Sequence, residues 1–306
     1  MLVAAAHITS TALWMLAAEY TTRGPRLRQA SCVQDDRGED LIGWACQRLR
    51  SWLAALDPPP AALRLALSPE LAVLVHSFPL EESPQGAEQL ATALAFELGQ
   101  FLTDYDRRHY STFALVLPPG NDAFRQVVAI TYTRSELEQL QTVGAPGTRT
   151  ELIIPDLFAV APLWRYNYPE RCGHSVVALH VAPPYLDILT LHGGNLVSLS
   201  TRSLPSETMP ELLAACLQSI TAARETGAVE EVVAFGTAVR REFLDALSAE
   251  LAAATGGQLA CRRLNAFRFW LPPEQERVRR YAIRTAHLFW ACSAVCLPVE
   301  EEVSVL

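Results

Sequence analysis

The sequence contains no lysine, so every one of its 25 basic side chains is an arginine. These arginines are scattered along the chain, and 33 acidic side chains outnumber them to give a net charge of −8. Both features argue against a general nucleic-acid binder, because neutralising phosphates requires a clustered basic surface. The missing lysine also removes a common phosphate-binding group.

The sequence also lacks any Cys-x-x-Cys pair, and its seven cysteines are an odd number. Several lie in apolar stretches such as Ala214–Leu217, which is typical of reduced core cysteines in a cytoplasmic protein. Cys292 and Cys296 have the i, i+4 spacing of helical metal ligands, but no histidine pair completes a zinc site. We therefore expect neither a disulfide framework nor a bound metal.

Long hydrophobic runs are absent as well. No segment reaches the roughly 20 apolar residues that a membrane-spanning helix requires, and the nearest, Tyr281–Pro298, carries Arg284 and His287. The apolar start, Met1–Tyr20, lacks the basic n-region of a signal peptide. We expect a cytoplasmic chain without a membrane anchor of its own.

One pattern occurs twice in the chain, which is 306 residues long and half hydrophobic. Ala4–Ala18 and Ala178–Leu191 each predict an apolar strand, a short turn of small or proline residues and a second apolar strand. A helix is predicted over Glu39–Leu56, where the prolines at 58–60 end it. Each half of a two-domain protein would thus begin with a hairpin.

The stretch from Ala62 to Gly147 predicts a compact α+β unit that interrupts the first half. Its predicted elements are strands Leu63–Leu67, Ala72–Phe78, Ser111–Leu117 and Arg125–Thr133, with helices Gly86–Leu102 and Ser135–Val143. Later elements are a strand and helix within Leu152–Arg165, helices Met209–Thr226 and Val239–Ala254 around strand Glu231–Phe235, and a last helix over about Glu274–Val295.

This order of elements resembles the type IV pilus assembly protein PilM family, which is related to the cell-division protein FtsA. The resemblance implies an α/β fold: a two-lobed, actin-like (RNase H-like, duplicated) fold with an inserted α+β subdomain. It implies a first lobe at 1–60 and 149–173, the insertion at 61–148, and a second lobe at 174–306 whose last helix can pack back on the first.

In actin-like ATPases the two hairpins grip a nucleotide's phosphates, using an acid at the end of the first strand and glycines that let backbone amides approach. The first such loop is similar to His7–Trp14 here. The acid has become His7, the glycine Thr9 and the lysine Trp14, while Ser10 and Thr11 fill the turn.

The second loop is similar to Leu179–Ile188. Here the acid has become His180 and the glycine Ala182, and the dipeptide Pro183-Pro184 lacks the amides that could hold phosphate. Asp187 survives. A third, adenosine-contacting turn keeps only Gly236 of the family's glycine run.

We therefore interpret seven residues as the vestigial positions of a nucleotide cleft: His7, Thr9, Ser10, Thr11, His180, Asp187 and Gly236. No catalytic residue, cofactor or ATPase activity is expected, because phosphoryl transfer depends on positioning and charge that these residues do not supply. The two histidines invite a metal or pH-switch hypothesis, but without a third ligand they are more typical of hydrogen-bonded turn residues.

The resemblance implies a non-catalytic scaffold at the inner face of the cytoplasmic membrane, in a type IV pilus or related secretion complex. Its implied partner is the N-terminal cytoplasmic segment of a PilN-type bitopic inner-membrane protein, bound as an extended peptide near the inserted subdomain. Two alternatives stay open: an active actin-like ATPase with divergent loops, and the cytoplasmic domain of a type II secretion platform protein. The oligomeric state stays open too.

Overall fold

The computed structural model describes residues 1–35, 40–80, 87–102, 108–118, 125–204, 208–297 and 304–305. Within them the strands, numbered along the chain, are β1 Leu2–Ile8, β2 Ala12–Thr21, β3 Gly24–Gln34, β4 Ala62–Leu67, β5 Leu74–Leu80, β6 Tyr110–Val116, β7 Arg125–Thr133, β8 Arg149–Pro155, β9 Val176–Ala182, β10 Tyr185–His192, β11 Asn195–Ser203, β12 Glu231–Phe235, β13 Ala260–Arg263 and β14 Ser304–Val305. The helices are α1 Leu41–Ala54, α2 Ala87–Leu98, α3 Arg134–Gln141, α4 Val160–Asn167, α5 Met209–Thr226, α6 Arg241–Thr255, α7 Glu276–Thr285 and α8 Trp290–Cys296.

The chain divides into two compact units. Unit 1 comprises Met1–Val160, Phe269–Arg284 and Ala291–Leu306, and unit 2 comprises Ala161–Arg268 and Thr285–Trp290. The finer domain boundaries at 60, 148 and 173 stay predictions. None of the helices within the described ranges has the length and hydropathy needed to cross a bilayer.

Each unit carries a five-stranded sheet of the same design. The order is β3-β2-β1-β4-β8 in unit 1 and β11-β10-β9-β12-β13 in unit 2. In both sheets the first three strands are antiparallel neighbours, and the remaining two pairings are parallel. This repeat is the duplicated α/β arrangement that the two sequence hairpins predict.

The central strands explain why the hairpins read as continuous apolar runs. Every residue of β9 is buried, as is every residue of β1 after Leu2. Strands covered on both faces are apolar throughout and do not alternate. His7 in β1 and His180 in β9 are the polar exceptions to this rule.

The predicted insertion forms a separate antiparallel sheet in unit 1, ordered β14-β6-β7-β5. Helix α2 packs on it, and their shared core contains Phe78, Leu90, Leu94, Leu98 and Val127 among others. The two-residue strand β14 pairs with Phe113 and Ala114 of β6. Helix α3 leads from this sheet back to β8.

The prediction of one last helix over Glu274–Val295 is wrong, because two helices, α7 and α8, form there. Their surroundings differ: in α7 only Ala282 is buried, whereas α8 is buried throughout. A single amphipathic helix would keep one apolar face along its whole length, whereas α7 is exposed on most sides and α8 is buried on all sides. Strand β3 was not predicted at all, and the predicted helix starts at Glu39 and Gly86 lie outside the described residues.

Candidate functional site

The carboxyl ends of β1, β4 and β8 meet at one edge of the unit 1 sheet, the place where open α/β sheets bind ligands. His7 lies near the end of β1, and Asp156 directly follows β8. The His7 Nε2 atom lies 2.8 Å from Asp156 Oδ2, and the two residues are 3% and 0% exposed. The predicted position His7 is therefore half of a buried histidine–aspartate pair.

Tyr132 of the inserted sheet closes this edge from one side. Its hydroxyl donates to the carbonyl oxygens of Leu67 at 3.2 Å and Ser68 at 3.4 Å, at the end of β4. Burial, followed by the negative charge of Asp156, raises the pKa of Tyr132 well above its ordinary value. The phenol stays a neutral hydrogen-bond donor.

The β1–β2 turn uses its backbone amides internally. Thr9 N donates to Ala12 O at 3.0 Å, and Thr9 Oγ1 accepts from Ala12 N at 3.0 Å and from Thr11 N at 3.4 Å. The remaining amide, Ser10 N, donates to Glu70 Oε2 at 3.2 Å. All four amides from residue 9 to residue 12 therefore have partners within the protein.

Glu70 adds a negative charge at this turn. The Ser10 hydroxyl donates to the same carboxylate oxygen as the Ser10 amide. A phosphate at the turn would have to displace this carboxylate and the Thr9 hydroxyl, and would meet like charge if Glu70 stayed nearby. The geometry opposes anion binding at the β1–β2 turn.

Unit 2 contains a second histidine–aspartate pair, formed by His180 of β9 and Asp187 of β10. His180 Nδ1 lies 2.8 Å from Asp187 Oδ2, and the Thr201 hydroxyl donates to Asp187 Oδ1 at 2.7 Å. These residues stand opposite one another on adjacent strands, since His180 pairs in register with Asp187 and Asp187 with Thr201. Both carboxylate oxygens of Asp187, which is 4% exposed, thus have protein partners.

Aromatic rings pack against His180. Its ring centroid lies 5.2 Å from that of Phe235 in a stacked geometry and 5.2 Å from that of Trp290 in a tilted one. Phe235 and Trp290 also contact each other edge to face at 4.8 Å. The histidine is part of an aromatic cluster, which occupies the space around its ring.

Gly236 follows Phe235 with a φ of 106°, a conformation that side-chain-bearing residues rarely adopt. A Cβ at this position would lie 2.6 Å from Val181 O and 2.9 Å from His180 Cδ2. The glycine is therefore required by the close approach of its backbone to β9. No nucleotide is needed to explain it.

A groove in unit 1 lies between the inserted sheet and the end strand of the five-stranded sheet. Its volume is about 580 Å³. It is lined by Ser111 and Phe113 of β6, by Arg134, Leu137, Glu138 and Gln141 of α3, and by Thr150, Glu151, Leu152 and Ile153 of β8. Side chains alternate between the two faces of a strand, so four consecutive lining residues mean that the groove meets the edge of β8.

Solved structures share this architecture. A chain of the PilM-PilN type IV pilus biogenesis complex matches with a TM-score of 0.72 and 13% identity, over 96% of this chain and 97% of that chain. The fold is that of actin-like ATPases. A protein with actin-like ATPase fold and unknown function from Bacteroides thetaiotaomicron VPI-5482 has a TM-score of 0.56 and 12% identity, over 88% and 94% of the two chains.

The ethanolamine utilization protein EutJ from Carboxydothermus hydrogenoformans matches with a TM-score of 0.51 and 9% identity, over 97% and 89% of the chains. No protein-family model and no curated protein matches the sequence. The predicted resemblance to PilM is thus confirmed for the fold, as is the predicted actin-like fold class.

The predicted site residues form one group in each unit. His7, Thr9, Ser10 and Thr11 lie at the β1–β2 turn of unit 1, and His180, Asp187 and Gly236 lie together in unit 2. Their origin as a nucleotide cleft stays a prediction. Within the described part of the chain, no group of three or more histidine, cysteine, aspartate or glutamate side chains could hold a metal ion.

Sequence reasoning missed Asp156, Glu70 and Thr201, which complete these groups. Asp156 had a usable signal, since it follows the apolar strand ending Ile153-Ile154-Pro155 and parallel strands end at one edge. Glu70 and Thr201 had none, because their contacts depend on a loop and a strand register that no local pattern specifies.

Proposed function

We propose that this protein is a non-catalytic, cytoplasmic component of a type IV pilus or related secretion assembly complex, located at the inner face of the cytoplasmic membrane. Its partner is the N-terminal cytoplasmic segment of a PilN-type bitopic inner-membrane protein. The observation that carries the proposal is the match of nearly the whole chain to a chain of the PilM-PilN complex. ATP hydrolysis is no part of this role.

The closed turns support the absence of ATPase activity. In unit 1 the amides that would face phosphate already bind Thr9 and Glu70. In unit 2 the turn residues Pro183 and Pro184 have no amide hydrogens, and Asp187 is held by His180 and Thr201. A magnesium–phosphate group would lack both free carboxylates and free amides in these turns.

The groove along β8 supports the peptide-binding role. Strand β8 is the last strand of its sheet, and an extended peptide can add to such an edge through main-chain hydrogen bonds. Phe113, Leu137, Leu152 and Ile153 offer apolar contacts for its side chains. Glu151 forms an ion pair with Arg64 at 2.9 Å, so one acidic group of the lining is already neutralised.

Nucleotide binding is tested by thermal unfolding of the full chain with ATP and magnesium. A ligand at about one hundred times its Kd stabilises a protein by roughly 2.7 kcal/mol, which gives a clear shift. We expect no shift at millimolar nucleotide. A saturable shift would contradict the closed turns and favour the active ATPase.

Peptide binding is tested with two tryptophan substitutions on α3. Gln141 lines the groove, whereas Gln139 is exposed on the same helix and lies outside the lining. Gln141→Trp should weaken binding of the PilN-type segment at least tenfold, about 1.4 kcal/mol, by filling the groove. Gln139→Trp should bind like the unaltered chain.

If Gln141→Trp and Gln139→Trp bind the PilN-type segment with equal affinity, the groove along β8 is not the peptide-binding site. If the PilN-type segment does not bind at all, and a type II secretion ATPase does, the chain is instead the cytoplasmic domain of a secretion platform protein. Isothermal titration or fluorescence anisotropy with the synthetic segment provides the measurement.

A further inference from the structure

Helix α7 is a basic surface helix in an acidic protein. Its ten residues include four arginines, Arg277, Arg279, Arg280 and Arg284, all exposed, against one glutamate, Glu276. The whole chain carries a net charge of −8. This local excess of positive charge attracts anionic partners to the helix, whereas the net negative charge of the whole protein repels them.

Two acidic side chains in and next to the helix, Glu276 and Glu274, already form ion pairs. Glu276 pairs with Arg280 at 2.9 Å and lies 4.0 Å from Arg279. Glu274, just before the helix, pairs with Arg26 of β3 at 2.6 Å and lies 3.8 Å from Arg28. Arg277 and Arg284 have no ion-pair partner among the described residues and stay available for an external anion.

An apolar side chain stands among these charges. Ile283 is 66% exposed and directly precedes Arg284, while Ala282 on the inner side is buried. Phe269, earlier in the same segment of unit 1, is also exposed. Basic residues combined with exposed apolar side chains favour the interface of an anionic membrane, which attracts the arginines and accepts the apolar groups. An acidic peptide would satisfy only the arginines.

The helix is held in a fixed orientation by unit 1. Leu271 N donates to Pro25 O at 2.8 Å, and Arg26 pairs with Glu274, so the segment before α7 is attached to strand β3. We propose that α7 docks this protein on an anionic phospholipid surface, with Arg277 and Arg284 on headgroup phosphates and Ile283, on the adjoining exposed side of the helix, inserted beside them. This contact is separate from the groove along β8 and does not depend on a peptide partner.

The test is flotation of the full chain with vesicles of phosphatidylcholine, with and without phosphatidylglycerol. We expect binding only to the anionic vesicles, and weaker binding as salt rises. Each arginine near such a surface changes partitioning about fivefold, so Arg277→Gln with Arg284→Gln should weaken binding about 25-fold. Ile283→Ser should also weaken vesicle binding. Because Ile283 is 66% exposed, this substitution should leave the fold intact, so weaker binding would not be due to misfolding.

The matched control is Arg240→Gln with Arg241→Gln, which removes the same charge from an exposed site at the start of α6. It should bind vesicles like the unaltered chain. Equal loss in the control, equal binding to neutral vesicles, or full binding by the α7 variant would each overturn the proposal. So would binding to poly-glutamate through Arg277 and Arg284 without vesicle binding, which would identify an acidic protein partner.

Discussion

The close approach of Gly236 to β9 makes a sharp prediction for the substitution Gly236→Ala. The added Cβ would lie 2.6 Å from the backbone oxygen of Val181 and 2.9 Å from the His180 ring. The first contact is with backbone, which cannot rotate away as a flexible side chain can. Alanine would also have to adopt the φ of 106° that glycine adopts here.

Two costs therefore add at this position. The left-handed backbone costs an alanine roughly 1–2 kcal/mol, and forcing atoms into a packed site costs about 1–3 kcal/mol. We expect Gly236→Ala to lower the free energy of unfolding by about 2–5 kcal/mol. For a chain of 306 residues this corresponds to a decrease in Tm of about 3–8 °C.

Gly256→Ala is the matched control, because Gly256 has a φ of 61° but a Cβ added there would have no atom within 4 Å. Gly256→Ala should lower the free energy of unfolding by only about 1–2 kcal/mol, which is the cost of the backbone conformation alone. Urea unfolding followed by circular dichroism compares the two variants. If they lose the same stability, the close approach to Val181 is refuted, and Gly236 would again be a candidate nucleotide-contacting glycine.

Two further predictions concern His287 and Thr9. Burial and then the charge of Arg263 lower the pKa of His287 from 6.5 to about 4, so the folded state binds fewer protons than the unfolded chain between these values. The contribution of His287 to the free energy of unfolding should be fully present above pH 6.5 and should fall by about 3 kcal/mol as the pH drops through 4. His287→Gln should remove this part of the pH dependence of urea unfolding. A pH profile that is unchanged in the variant would refute the role of His287. Thr9→Val removes the oxygen that accepts from Thr11 N and Ala12 N, and should lower the unfolding free energy by about 1–3 kcal/mol. Thr9→Ser should restore it, and loss of stability in both variants would mean that the hydroxyl is not responsible.

The architecture was predictable because its central strands are apolar on both faces. The hairpins at β1–β2 and β9–β10 and the inserted unit between β4 and β8 followed from such runs and from the turn residues between them. Strand β3 was not predictable, because it is an edge strand with an irregular burial pattern and polar residues such as Arg26 and Gln29. Its position depends on pairing with β2, which no local pattern encodes.

The candidate site was only partly predictable for a similar reason. The replaced positions His7, Thr9 and His180 were visible against the family's loops, since each stands at a strand end or turn. What those residues contact was not visible. Asp156 is 149 residues from His7 in the sequence, and their contact depends on the parallel pairing of β1, β4 and β8.

The two histidines are best understood as halves of pairs. An acid in place of His180 would stand directly opposite Asp187 on the neighbouring strand, and two carboxylates facing each other in a buried site repel. An acid in place of His7 would likewise face Asp156, which is fully buried. An acid at either histidine position would therefore destabilise the unit that contains it. The two turns oppose phosphate binding by different means, through Thr9 and Glu70 in one unit and through prolines without amide hydrogens in the other.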